Sequence, residues 1–224
     1  MKNPKAKMWL ALAVSFTLIG LTLFLGAGTA DYWRAWVYLA VGVVSRILLT
    51  LYLIRDPILL ENRTRGGPVA EQRPAQKIIV MCAGISAIAV FVVPALDRRF
   101  RWSNVPSWLS ITGDLLIIVA MRNVFLVFKE NSFGARAVEM VEDQRVISTG
   151  PYAVVRHPMY ASAAVYFIGV SLALGSYWGL IPAVLTIFSF VWRLFDEEKF
   201  LAQNLPGYAE YCAKLRWRLI PKLF

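Results

Sequence analysis

Residues 148–160 read STGPYAVVRHPMY, and an apolar stretch follows from Tyr160 to Leu174. The run holds the one histidine of the chain, His157, with Pro158 directly after it. Proline has a preset φ and no N–H, so the His-Pro order predicts a helix whose first turn contains Pro158 and whose start lies at or just after His157. The unpaired N–H groups of such a start favour an anion. A second apolar stretch, Leu180–Phe195, leads into a second polar group, in which Arg193 and Glu197 stand four residues apart on one helix face with Glu198 beside them. The five residues GSYWG, 175–179, join the two arms. Each arm is short for an upright crossing, so they read as a tightly turned helical hairpin with Pro182 in the first turn of its second arm. Both polar groups then lie at the open end of the hairpin and are expected to meet at one membrane face.

The rest of the chain supports a membrane setting. Of 224 residues 58% are apolar and the mean hydropathy is +0.56, a balance that puts the chain among membrane proteins rather than soluble domains. Four stretches are long enough to span: Trp9–Leu25, Trp33–Ile54, Ile78–Leu96 and Trp108–Phe128. The first follows Lys2, Lys5 and Lys7 and reads as a retained helix, since its apolar run is too long for a cleaved signal. The expected fold is all-α and multi-pass, with about six membrane helices: four spans and the short hairpin. After Glu198 a tail carrying Leu205, Tyr208, Tyr211 and Trp217 among charges predicts an amphipathic interfacial helix interrupted at Pro206 and Gly207, with the tyrosines as interfacial anchors. Between the spans, Arg55–Lys77 reads as a polar loop with a short interfacial helix at Pro57–Asn62, and Asp97–Ser107 as a short polar turn. Lys129–His157 permits a small hairpin or a flap. Within it, Glu142 and Asp143 read as a solvated turn, and no histidine stands near them to make a metal site.

The net charge of +10 points to anionic lipid rather than nucleic acid, because the basic residues flank apolar runs and form no groove motif. Seventeen of the 24 lysines and arginines fall on the face that carries both termini, which predicts that this face is cytoplasmic. Inside the spans, Arg34 can snorkel, whereas Arg46 is deeper and must face protein or a water-filled cavity. A backbone carbonyl or Asp114 is its expected partner. Asp114 and Arg122 are two turns apart on one helix and are not expected to pair. Cys82 and Cys212 have no metal-ligand spacing.

The ordered elements GPYxxxRHPxY (150–160), a membrane hairpin, RxxxEE (193–198), PGYxxY (206–211) and a basic Ile-Pro tail resemble the isoprenylcysteine carboxyl methyltransferase family. That family belongs to a wider set of membrane methyltransferases that includes phospholipid methyltransferases. The resemblance covers residues 120–224, a methyltransferase core, and leaves 1–119 as membrane helices with their loops. It implies S-adenosylmethionine as cofactor and a lipophilic acceptor that enters from the bilayer. It places the cofactor against Gln144, Arg145, Val146, Ile147, Tyr152, His157, Pro158, Met159 and Tyr160, with Glu197 closing the pocket. Arg193 is then the acceptor-binding residue, because a guanidinium grips a carboxylate through two parallel hydrogen bonds. An amine acceptor would instead need a base, for which Glu197 and Glu198 are the candidates. The chain departs from the eukaryotic enzymes at Gln144, where they have a histidine. Two other readings compete, an NADPH-dependent sterol-type reductase and a scaffold or transport component without catalysis.

Overall fold

The computed structural model describes residues 4–56, 60, 74–131 and 145–224. Among them are seven α-helices and one 3₁₀ turn, with no strand: α1 (Pro4–Ala27), α2 (Trp33–Leu53), α3 (Pro74–Phe100), α4 (Ser107–Glu130), the 3₁₀ turn Gly150–Ala153, α5 (Pro158–Ala173), α6 (Leu180–Asn204) and α7 (Tyr208–Lys214). Four helices, α1 to α4, are long and apolar enough to cross a membrane, and α5 is a shorter apolar helix of 16 residues. The outward faces of α1 to α4 carry Leu18, Val44, Ile85 and Leu115, and that of α6 carries Phe188, all exposed, which suits lipid contact. The interfacial helix expected at Pro57–Asn62 and the flap around Glu142 and Asp143 lie almost wholly outside the described residues.

Helix α5 occupies the centre, touching α2, α3, α4 and α6, while α1 closes the outside against α2 and α3. Small residues allow the tightest approach. A Cβ added at Gly113 of α4 would come within 2.3 Å of the Ala173 nitrogen and 2.6 Å of the Gly169 oxygen, so these two backbones touch. Around this crossing Ile117, Val170, Ala173, Leu174, Tyr38 and Leu23 form the main core. Hydroxyls within the bundle bond to carbonyls of the preceding turn, as Ser162 does to Pro158 (2.8 Å) and Thr186 to Pro182 (2.8 Å); in lipid no water is available to take that role.

The α1–α2, α3–α4 and α5–α6 connections gather at one end of the bundle. Tyr32 donates to the Leu174 oxygen at 2.6 Å, and Arg34 Nη2 to the Val105 oxygen at 2.5 Å. Here the structure corrects one expectation. Asp97 does not belong to a polar turn, because α3 continues through it to Phe100. It is buried, and its carboxylate accepts hydrogen bonds from the Ser103 amide (2.7 Å), the Ser103 hydroxyl (2.6 Å) and the Ser176 hydroxyl (2.5 Å). The partners that stabilise the extra helical turn come from the next loop and from the hairpin turn, out of reach of local pattern. The expected Arg46–Asp114 pair is also absent: Asp114 Oδ1 is buried without a partner.

Helix α6 continues past the apolar arm through Glu197 and Glu198 to Asn204, as the shared helix face of Arg193 and Glu197 requires. The break then falls at Leu205–Gly207, where Gly207 adopts φ +81°, a conformation glycine reaches without a Cβ clash. Leu205, Tyr208 and Tyr211 are buried together with Val146, Leu201 and Leu215 packed on them. The two tyrosines are therefore internal packing residues rather than interfacial anchors.

Candidate active site

The opposite end of the bundle holds the residues singled out in the sequence. His157 caps α5 and Pro158 occupies its first turn, as the His-Pro order predicts. The His157 amide is not open to an anion, however. The chain returns along this segment after α7, so that the Arg156 amide donates to the Trp217 oxygen and the His157 amide to the Arg218 oxygen, each at 2.9 Å. This return brings Arg218 to the end of α6.

Glu198 is the centre of the first cluster. Its Oε1 lies 2.8 Å from Arg156 Nη2 and 3.2 Å from His157 Nε2, and its Oε2 accepts from Arg218 Nε at 2.9 Å. A carboxylate offers only acceptors, so the His157 Nε2 proton is the one donated. Burial opposes ionisation of Glu198, but the hydrogen bonds from His157 and Arg218 and the charges of His157 and Arg156 outweigh it and hold its carboxyl down at about 2. The Arg218 guanidinium is held in turn over the Phe195 and Phe224 rings, 5.3 and 5.5 Å from their centroids. Arg156 is buried, with Nε lacking a partner.

A second cluster lies one turn away. Arg193 and Glu197 share a face of α6 as their spacing predicts, yet they meet through Tyr160 rather than directly: Arg193 Nε donates to the Tyr160 hydroxyl at 3.1 Å, and that hydroxyl donates to Glu197 Oε2 at 2.5 Å. The rings of His157, Tyr160 and Phe190 follow one another in a stack with centroid separations of 5.7 and 5.8 Å. Beside Glu197, Asp196 accepts from the Gln76 amide at the start of α3; Gln76 is fully buried and its Oε1 has no partner. Three segments far apart in the chain thus place alternating cations, carboxylates and aromatic faces within one small volume. Such a set can grip an anion, accept from hydroxyl or amino groups and stack a flat ring.

The other predicted residues divide. The Tyr152 hydroxyl accepts from Asn131 at 2.9 Å, and its carbonyl accepts from the Tyr211 hydroxyl at 2.7 Å; these bonds tie the 3₁₀ turn to α4 and to the tail. Val146 packs on the tail cluster, Ile147 is half-buried and Arg145 is exposed. Met159 packs with Leu49, Leu53 and Phe128, toward α2 and α4 rather than toward α6. Gln144 lies outside the described residues. Sequence reasoning missed Arg156, Arg218 and Gln76. Arg156 belongs to the quoted RHP run and was open to notice, whereas Arg218 and Gln76 arrive only through the return of the tail and the packing of α3 on α6. Among the described residues no group of histidine, cysteine, aspartate and glutamate has the arrangement of a metal site.

Comparison with curated proteins gives no match. A family model described as phospholipid methyltransferase matches residues 108–206, from the first turn of α4 through both hairpin arms to the break before α7. That segment, under half of the chain, is similar to the phospholipid methyltransferases and holds His157, Tyr160, Arg193, Glu197 and Glu198.

Proposed function

We propose that the protein transfers the methyl group of S-adenosylmethionine to a lipophilic acceptor, most simply a carboxylate that becomes a methyl ester. The bond between the methyl carbon and sulfur breaks as the bond to the acceptor oxygen forms, leaving S-adenosylhomocysteine. The observation that carries this reading is the Arg193–Tyr160–Glu197 relay beside the Glu198 cluster, inside the segment matched by the family. Two features fit an adenosyl group. Glu197 Oε1 accepts no hydrogen bond among the described residues, so it can receive ribose hydroxyls, and the His157–Tyr160–Phe190 row offers ring faces.

The residues of the chain then divide the work. His157, fixed by Glu198, and Tyr160, fixed by Arg193 and Glu197, form a wall whose rotamers are set before any ligand arrives. Arg193 holds the acceptor carboxylate. Such a carboxylate is ionised at neutral pH, with a reference pKa of about 4, so no general base is required. Alignment and exclusion of water supply the rate. An amine acceptor would need Glu197 as base, because Glu198 at about 2 is too weakly basic to take a proton from an ammonium.

In this reading residues 120–224 form the catalytic core and 1–119 the membrane scaffold. The hairpin arms α5 and α6 add two membrane helices to the four spans, α7 lies at the interface, and the site faces the cytoplasm, where most basic residues fall. Partners are membrane lipid and the acceptor. The test is thermal unfolding of the detergent-solubilised protein with S-adenosylhomocysteine and with NADPH. The first is expected to raise the Tm, and His157→Ala and Glu197→Ala are expected to abolish the rise, since a ligand stabilises only the state it binds. Stabilisation by NADPH alone would favour a reductase. For the reaction, methyl label from S-adenosylmethionine should appear in a base-labile product; base-stable label would identify an N-methyl group and refute the carboxylate.

A further inference from the structure

Arg46 stands in the apolar body of α2 and is exposed. Among the described residues no hydrogen bond or ion pair engages its guanidinium, and Asp114 leaves it without a counter-ion. It acts electrostatically on the hydroxyls of Tyr38 and Tyr166, which lie 3.1 Å apart and join α2 to α5. That contact sets the register between the two helices, which run in opposite directions because α2 begins, and α5 ends, at the end of the bundle where the loops meet. From Tyr38 to Arg46 the chain advances about 12 Å toward the catalytic end, and from Tyr166 back to Tyr160 about 9 Å, at the helical rise per residue. Arg46 therefore comes within one turn of the level of the Arg193–Tyr160–Glu197 relay, on the α2 side of α5.

The central helix is not fully enclosed at this level. Residues 163–168 of α5 are only half-buried, whereas Gly169, Val170, Ser171 and Ala173 are buried. A guanidinium without a counter-ion is costly in the apolar part of a bilayer. An anionic head entering from the lipid side offsets that cost, and the planar fork matches the two oxygens of a carboxylate. We propose that Arg46 binds the head of a single-chain carboxylate amphiphile entering between α2 and α5, and so receives the methyl acceptor before or alongside Arg193. The proposal rests on the methyl-transfer reading for its purpose, but the binding itself can be measured without turnover.

The test uses the full chain in phosphatidylcholine nanodiscs and a hexadecanoic acid that carries a photoreactive diazirine next to its carboxyl end. Adducts mapped by mass spectrometry are expected on α2 around Arg46 and on α5 around Tyr166, and hexadecanoic acid should compete while hexadecanol does not. Arg46→Gln should lower labelling about tenfold, the scale of losing a charge-assisted pair, and Arg46→Lys less. The Tm rise with S-adenosylhomocysteine should persist in both variants. Equal labelling of folded Arg46→Gln would overturn the proposal and leave the side chain merely reaching for the interface. Equal competition by the alcohol, or stronger competition by a phosphate-headed single-chain lipid, would overturn it too. Should Arg46→Gln fail to fold, the adduct map and the competition on the unaltered protein decide the matter. Labelling that persists in a protein not stabilised by S-adenosylhomocysteine would refute the methyl-transfer reading and leave this one standing.

Discussion

The two ends of the bundle solve the same problem in different ways. Where the loops meet, Asp97 is buried and its carboxylate is satisfied by two serine hydroxyls and one amide, which are themselves held by the Gly179 and Tyr177 amides. At the other end Glu198 is surrounded by two arginines and a histidine, and one of those arginines, Arg156, has its Nε buried without a partner. A buried group left unsatisfied costs about 1–3 kcal/mol; the Asp97 carboxylate leaves none, although Arg34 Nε at the same end is one. The Asp97 network joins elements; the Glu198 and Glu197 clusters keep donors, acceptors and ring faces in reserve.

This contrast can be broken most severely at Asp97. Asp97→Ala removes the shared acceptor of Ser103 and Ser176 and loosens the α3–α4 and α5–α6 connections, and it should destabilise the protein by about 3–5 kcal/mol, the range for disrupting a buried ionic group. Denaturant unfolding in detergent measures it, and whatever protein remains folded should still respond to S-adenosylhomocysteine.

Glu198→Gln is expected to cost less, about 2–3 kcal/mol, because it weakens rather than removes the bonds to Arg156, His157 and Arg218. It should also release the tail, seen as faster proteolysis after Lys214, and abolish ligand stabilisation. The same position gives a pH signature. The folded carboxyl sits at about 2, below its ordinary value of 4.5, so the folded state binds fewer protons than the unfolded state between those values. The contribution of Glu198 is complete above about 4.5 and is lost as the pH falls toward about 2. Glu198→Gln should flatten that part of the stability profile, and an unchanged acid limb would show that the three donors do not hold the carboxylate.

The smallest effect on stability belongs to Tyr160→Phe, about 1 kcal/mol for one hydroxyl linking two side chains. Its effect on function should be larger, with turnover reduced at least tenfold as Arg193 and Glu197 lose their common partner. Loss of stability without loss of turnover would move Tyr160 from the catalytic end to the class of Asp97.

The sequence by itself determined the apolar lengths of the helices, the hairpin at GSYWG, the helix start at Pro158 and the shared face of Arg193 and Glu197. These are local properties, set by hydropathy over one bilayer thickness, the fixed φ of proline and the period of the helix. Tertiary structure decided what that pattern left open. It buried Asp97, placed Tyr160 between Arg193 and Glu197, and turned Tyr208 and Tyr211 inward. It also brought Arg218 to Glu198, bonded Gln76 to Asp196 and left Arg46 exposed. Each of these depends on which surfaces of distant segments touch, and a side chain whose partner arrives from the far end of the chain carries no mark of that partner in its neighbours.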